Sequence, residues 1–183
     1  MVRLNSVRLC TAALACCALL TAAPVYAQQR HGSAAPNIGT HLALPAGVHP
    51  VAFGSGTVVI HSTSGQHTLQ VEVARTGPQV QRGLMYRTTL PERSGMLFVY
   101  PKPHQGSFWM LNTLIPLSIA YADEHGNIFQ ITDMEPCGEL SAAECSRQSY
   151  PAQRPFRYAL EVNRGYFSRQ GIRSGDRIEL LTD

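Results

Sequence analysis

The run Gly95-Met96-Leu97-Phe98-Val99-Tyr100 constrains this chain most, because no charged residue interrupts it. A half-exposed strand alternates apolar with polar residues, whereas a short unbroken apolar run reads as a strand covered on both faces. Cover must therefore come from both sides of this strand, and no long helical period is present to provide it.

The remaining segments are short. Thr57 to Ser62 has strand composition, Ser64-Gly65-Gln66 is a turn, and His67 to Val73 places Leu69, Val71 and Val73 on one face, which predicts a half-buried hairpin. Gly77 and Pro78 open a short helix through about Tyr86. Ser107 to Met110, Pro116 to Tyr121, Ile128 to Ile131, Tyr158 to Val162 and Arg177 to Leu181 read as further strands, with a hairpin turn at Asp123-Glu124-His125-Gly126-Asn127. Gly165 to Gln170 is a helical turn stopped by Gly171 in the left-handed capping position. Residues 101–106 and 134–155 read as loops. The pattern predicts a β-rich α+β domain: a small, partly closed barrel or bent sheet of about seven strands with two short helices. Strand runs without long helices between them exclude a doubly wound parallel sheet.

The first residues read as an export signal. Arg3 and Arg8 form a basic start, Leu9 to Ala23 is uncharged, and Pro24 with Val25-Tyr26-Ala27 supplies a cleavage site. The uncharged run of about 15 residues is shorter than the roughly 20 that a membrane-spanning helix needs. The expected organisation is a signal peptide over 1–27, a flexible lead-in over 28–55 and a single domain over 56–183, with a periplasmic or secreted location. Cleavage removes Arg3 and Arg8 and leaves 13 basic residues against 12 acidic ones. That balance, with no Lys/Arg run, argues against nucleic acid as a partner and against stable membrane insertion after cleavage. A monomer is expected.

Cys10, Cys16 and Cys17 belong to the signal, so the mature chain keeps Cys137 and Cys145. One pair in an exported protein reads as a disulfide, worth about 2 kcal/mol for so short a loop and expected at the periphery. Their C-x7-C spacing fits neither a zinc ribbon nor a C-x-x-C redox motif.

Several blocks occur in a recognisable order: Arg82-Gly83-Leu84-Met85-Tyr86-Arg87, Gly95-Met96-Leu97-Phe98, Phe108-Trp109-Met110, Asn112-Thr113, Ile115-Pro116-Leu117, Asp123-Glu124-His125-Gly126, Leu160-Glu161-Val162-Asn163-Arg164-Gly165, Gly171-Ile172 and Gly175-Asp176. The chain resembles the domain-of-unknown-function 192 family over about residues 68–182. The resemblance implies a compact β-rich barrel with short helices and no established activity. Two positions depart from the family pattern, which has Lys where this chain has Leu111 and Asp where it has Ser118. A buried ion pair can be replaced by apolar or small residues at little cost, and the departures count against acid–base chemistry there.

Candidate chemistry centres on Arg82, Trp109, Asn112, Thr113 and Glu161, the polar or aromatic members of otherwise apolar segments, expected to converge on one face or mouth of the barrel. An aromatic platform beside an amide and a hydroxyl suits a binding module for a small molecule, glycan or peptide. The competing reading has Trp109 closing the barrel and Asn112-Thr113 capping backbone groups. Glu161 reads either as a buried base or as the partner of Arg82 or Arg157, and Arg82 with Arg87 either forms an anion site or pairs with Glu161. An extracytoplasmic binding or accessory role leads, with a cell-envelope hydrolase or transferase as the alternative. No Ser elbow, His-x-His pair or phosphate-binding glycine loop is present. Met85, Met96, Met110 and Met134 with the histidines raise copper as a second alternative, yet no strong ligand spacing occurs, so no metal site and no cofactor are expected.

Overall fold

The computed structural model describes residues 43–181. The expected signal peptide, with its cleavage site and first three cysteines, lies outside them, as does the start of the lead-in. Nine strands and three short helices follow one another as β1 (Gly54–Ser62), β2 (Gly65–Ala74), α1 (Gly77–Arg82), β3 (Ser94–His104), β4 (Ser107–Phe108), β5 (Leu117–Ala122), β6 (Ile128–Met134), α2 (Ala142–Arg147), β7 (Tyr150–Pro151), β8 (Phe156–Asn163), α3 (Tyr166–Arg169) and β9 (Arg177–Leu181). Seven strands form a curled sheet in the order β6-β5-β8-β3-β2-β1-β9, and β4 pairs with β7 in a separate ribbon. Only β2 and β3 run parallel in the large sheet, joined by a crossover that contains α1.

The sheet closes on itself at one end. Its two edges meet where Asn127 bridges Arg177. There the Ile178 N–H donates to the Gly126 carbonyl, the Ile128 N–H to Asp176 and the Gly175 N–H to Ile128, each at 2.8 Å. A Cβ on Gly126 would lie 2.1 Å from the Ile178 carbonyl oxygen, and its φ is 84°. Only glycine fits both the backbone conformation and the approach. The Gly-Asp segment supports this seam from below, since the buried Asp176 carboxylate accepts the Arg173 N–H at 2.8 Å.

Curling divides the core into two layers. Inside, Val58, Ile60, Leu69, Val71, Leu97, Leu160 and Val162 pack with Phe167 and Ile178. Outside, Met96, Phe98, Phe108, Ile119, Tyr121 and Phe156 pack beneath α1 and the β4–β7 ribbon. Successive strand residues point to opposite faces, so Leu97 and Val99 enter the inner layer while Met96 and Phe98 enter the outer one. That explains the unbroken apolar run. The outer layer is aromatic: Phe98 and Phe108 pack edge-on at 4.8 Å, and Tyr121 and Phe156 at 4.9 Å.

Four local expectations change. β3 continues to His104 through a segment expected to be loop; an irregularity between Val99 and His104 accommodates Pro101 and Pro103, which have no N–H to donate. Segment 134–155 holds α2 and β7. Ser141 caps α2, and Glu144 accepts the Ser141 N–H at 2.9 Å, a capping box. The Cys137–Cys145 disulfide, with α-carbons 5.5 Å apart, is buried in the outer core rather than peripheral. Finally, the end of the lead-in is not a loose tether. Phe53 packs on the outer core, and the Gln79 side chain donates to the Ala52 carbonyl at 2.8 Å. Among the described residues no helix is long and apolar enough to cross a membrane.

Candidate functional site

The site begins with how α1 is held. Pro78 sits in its first turn, and the Gln79 side chain accepts the N–H groups of Arg75 and Thr76 at 2.9 and 3.0 Å. Gly83 ends the helix with φ 47°, its α-carbon facing the edge of the Phe98 ring. The chain then drops Leu84 into the outer core and leaves Met85 and Tyr86 half-buried at the surface. Opposite runs the segment after β4, where Met110 is buried and the Thr113 N–H closes a turn onto the Met110 carbonyl at 3.1 Å.

Between these walls lies an open cleft of about 480 Å³, bordered by Arg82, Met85, Tyr86, Trp109, Leu111 and Asn112. Lead-in residues Val48, His49 and Val51 complete its third side. Trp109 is 37 % exposed and Leu114 nearby is 46 % exposed, so the apolar character of the cleft reaches solvent. The Arg82 guanidinium donates to the His49 carbonyl at 2.7 Å and lies 5.5 Å from the Tyr86 ring centre.

A recess of about 30 Å³ shares Arg82, Met85 and Trp109 with this cleft and reaches inward past Phe98, Phe108 and Thr113 to Glu161. Glu161 alternates away from Leu160 and Val162 on β8, between Met96 of β3 and Ile119 of β5. It is 4 % exposed, and no hydrogen bond or ion pair engages its carboxyl among the described residues. Burial pushes the carboxyl up to about 8. At neutral pH it is therefore mainly protonated, able both to donate and to accept. Its position depends on Gly95, where a Cβ would lie 2.4 Å from the Glu161 carbonyl oxygen.

The structure places Arg82, Trp109 and Asn112 along the cleft, and Arg82, Trp109, Thr113 and Glu161 along its recess, on the outer face of the sheet. Among the described residues no ion pair joins Glu161 to Arg82, Arg87 or Arg157. Arg82 is bound to backbone, Arg157 lies 6.0 Å from the Tyr158 ring, and the buried Arg87 pairs with Glu72 across the outer face of β2. Leu111 borders the cleft, whereas Ser118 shares the inner face with Ala120 and lies elsewhere. Its hydroxyl donates to Asp133 at 2.5 Å and accepts the Gly165 N–H at 2.8 Å. Met96, Met110 and Met134 are core residues, and Met85 borders the cleft.

Sequence reasoning passed over Tyr86 and the lead-in residues. Tyr86 has φ 65° and Asn112 has φ 55°. Asn tolerates this region, but a tyrosine there is an outlier held by its surroundings, and such positions concentrate at ligand sites. The lead-in had no periodicity to announce that it would pack.

Among solved structures, a crystal structure from Sinorhizobium meliloti 1021 described as a "putative transcription regulator" is similar, with 31% identity and a TM-score of 0.64, covering 72% of this chain and 98% of that one. A protein of unknown function from Novosphingobium aromaticivorans is 36% identical with a TM-score of 0.63, covering 76% of this chain and 94% of that one. No curated protein matches the chain. Residues 59–180 match the model of DUF192, described as an uncharacterized ACR. The shared fold and the family match over most of the domain agree: the chain belongs to the DUF192 family.

Proposed function

We propose that this chain is an exported binding module whose cleft beside Trp109 receives a peptide segment, with the Glu161 carboxyl as its innermost contact. The observation that carries the reading is the unpartnered, buried carboxyl lining a recess continuous in its residues with an open cleft. An uncompensated buried polar group costs stability, and a ligand carbonyl would offset that cost by accepting its O–H. The surrounding Val51, Met85, Trp109 and Leu111 suit an apolar side chain, while Arg82 and Asn112 offer polar contacts for the peptide backbone. A glycan would meet fewer hydroxyl partners in this lining.

The export part of this reading is supported by the basic, apolar and cleavage-like segments over 1–27, and the Cys137–Cys145 bond suits an oxidising compartment. The regulatory description of the Sinorhizobium relative would call for a basic surface, which the near-neutral mature charge does not favour. A cell-envelope hydrolase or transferase rests on the same Glu161, since a protonated carboxyl is the state of a general acid. The cleft and recess add no second carboxylate to complete that pair.

Trp109 is the sole tryptophan of the chain, so its fluorescence reports occupancy directly. Titration with blocked tripeptides bearing a central Leu or Phe should give a saturable change, weakened about tenfold in Glu161→Leu by loss of one buried hydrogen bond. No saturable change with these peptides, or saturation by chitotriose alone, would overturn the peptide reading.

A further inference from the structure

A second cavity, of about 380 Å³, lies away from the Trp109 cleft. It sits beside the seam that closes the sheet, with Val99, Tyr158, Ile178 and Leu180 as its apolar lining. Its rim carries Arg75 just after β2, Arg157 on β8 and Arg177 on β9. Two carboxylates, Glu124 and Glu179, also border it.

The balance of partners decides what such a rim attracts. Glu179 is already engaged, by His61 at 2.6 Å and by Arg177 at 3.3 Å. Glu124 faces its neighbour His125 at 3.8 Å. Asp123, in the same hairpin, is consumed by its own turn, accepting the N–H groups of His125 and Asn127 at 3.0 and 2.9 Å. Arg75 and Arg157 are not engaged in this way: neither guanidinium has a carboxylate partner among the described residues, and the buried Nε of Arg157 has no hydrogen-bond partner. The Tyr158 ring lies 6.0 Å from the Arg157 guanidinium carbon, within cation–π range.

We propose that this cavity binds a small organic anion, its acid group held by Arg75 and Arg157 and its apolar body laid against Val99, Tyr158 and Leu180. Arginine forks match the oxygens of both carboxylates and phosphates. The cavity volume falls within the range of small-molecule sites. This site stands independently of the peptide cleft, since the two share no lining residue.

The test is a titration of the full chain with hexyl phosphate, hexanoate, inorganic phosphate and hexanol, followed by amide chemical shifts. Hexyl phosphate or hexanoate should saturate and move the resonances of Val99, Gly126, Tyr158 and Leu180, and the tighter of the two identifies the acid group. Arg157→Gln and the exposed Arg75→Gln should each weaken binding at least about fivefold, the loss of a charge-assisted contact. Arg154→Gln, whose guanidinium lies over Phe129 instead, should leave it unchanged. Equal binding by hexanol, unchanged affinity in folded Arg75→Gln, shifts confined to the Trp109 cleft or no saturation would overturn the proposal.

Discussion

The Tyr86 N–H donates to the Asn112 carbonyl at 2.8 Å, and these two residues, with φ of 65° and 55°, are the non-glycine residues of positive φ among those described. The bond joins the two walls of the cleft, so the strained conformations support one another. Asn112→Gly should keep stability within about 0.5 kcal/mol, because glycine adopts this region freely. Asn112→Val should cost about 1–2 kcal/mol, since a β-branched residue is poorly accommodated there. Urea unfolding of the two variants checks the difference, and equal stabilities would show that the local conformation carries no strain.

Gly126 makes the opposite demand, at the seam. Gly126→Ala forces a Cβ against the Ile178 carbonyl, so the three hydrogen bonds that close the sheet should open. The expected loss is about 2–4 kcal/mol. Amide exchange is the direct check: Ile128 and Ile178 should lose protection first, before Leu69 or Val71 in the strands away from the seam.

The disulfide is a core feature, and its removal should be felt accordingly. Cys145 is fully buried and Cys137 nearly so. Replacing both by Ala should lower stability by about 2–3 kcal/mol through lost loop constraint and packing. Chemical denaturation of the oxidised protein and the double variant measures this, and a difference below about 0.5 kcal/mol would place the bond at the periphery after all.

What the sequence made legible follows from local chemistry. The 95–100 run disclosed the doubly covered strand because burial on two faces removes polar alternation. Gly126 and Gly175-Asp176 marked turns whose geometry needs them. Trp109, Asn112, Thr113 and Glu161 stand out as polar or aromatic residues in apolar surroundings, and they line the cleft or its recess. The partners of the arginines were not legible, because an ion pair such as Arg87–Glu72 joins the segment after α1 back to β2 through the tertiary fold and not by spacing along the chain. Ser141-x-x-Glu144 carries a capping signal within the segment expected to be loop. The docking of residues 48–53 had no signal at all, since an irregular segment packs through scattered contacts.

Stability should fall as pH rises, with Glu161 as a principal cause. Its folded value of about 8 lies above the ordinary 4.5. The folded state therefore holds a proton that the unfolded chain has released, and the contribution of Glu161 to stability is full below about 4.5 and lost progressively up to about 8. Glu72, also raised by burial, adds the same sign. Glu161→Gln keeps a neutral polar group and should flatten the profile, gaining on the order of 4 kcal/mol relative to wild type above pH 8. Thermal denaturation between pH 5 and 9 compares the two; parallel profiles would remove Glu161 as the source.

The most direct measurement is the titration of the Glu161 side-chain carboxyl by carbon NMR, in the free protein and in protein saturated with a blocked Leu tripeptide. The account predicts a midpoint near 8 in the free protein and a higher one in the complex, because the ligand carbonyl accepts the carboxyl proton, with peptide affinity falling as pH rises past that midpoint. A midpoint near 4.5 in the free protein, or one that does not move on saturation, would contradict it.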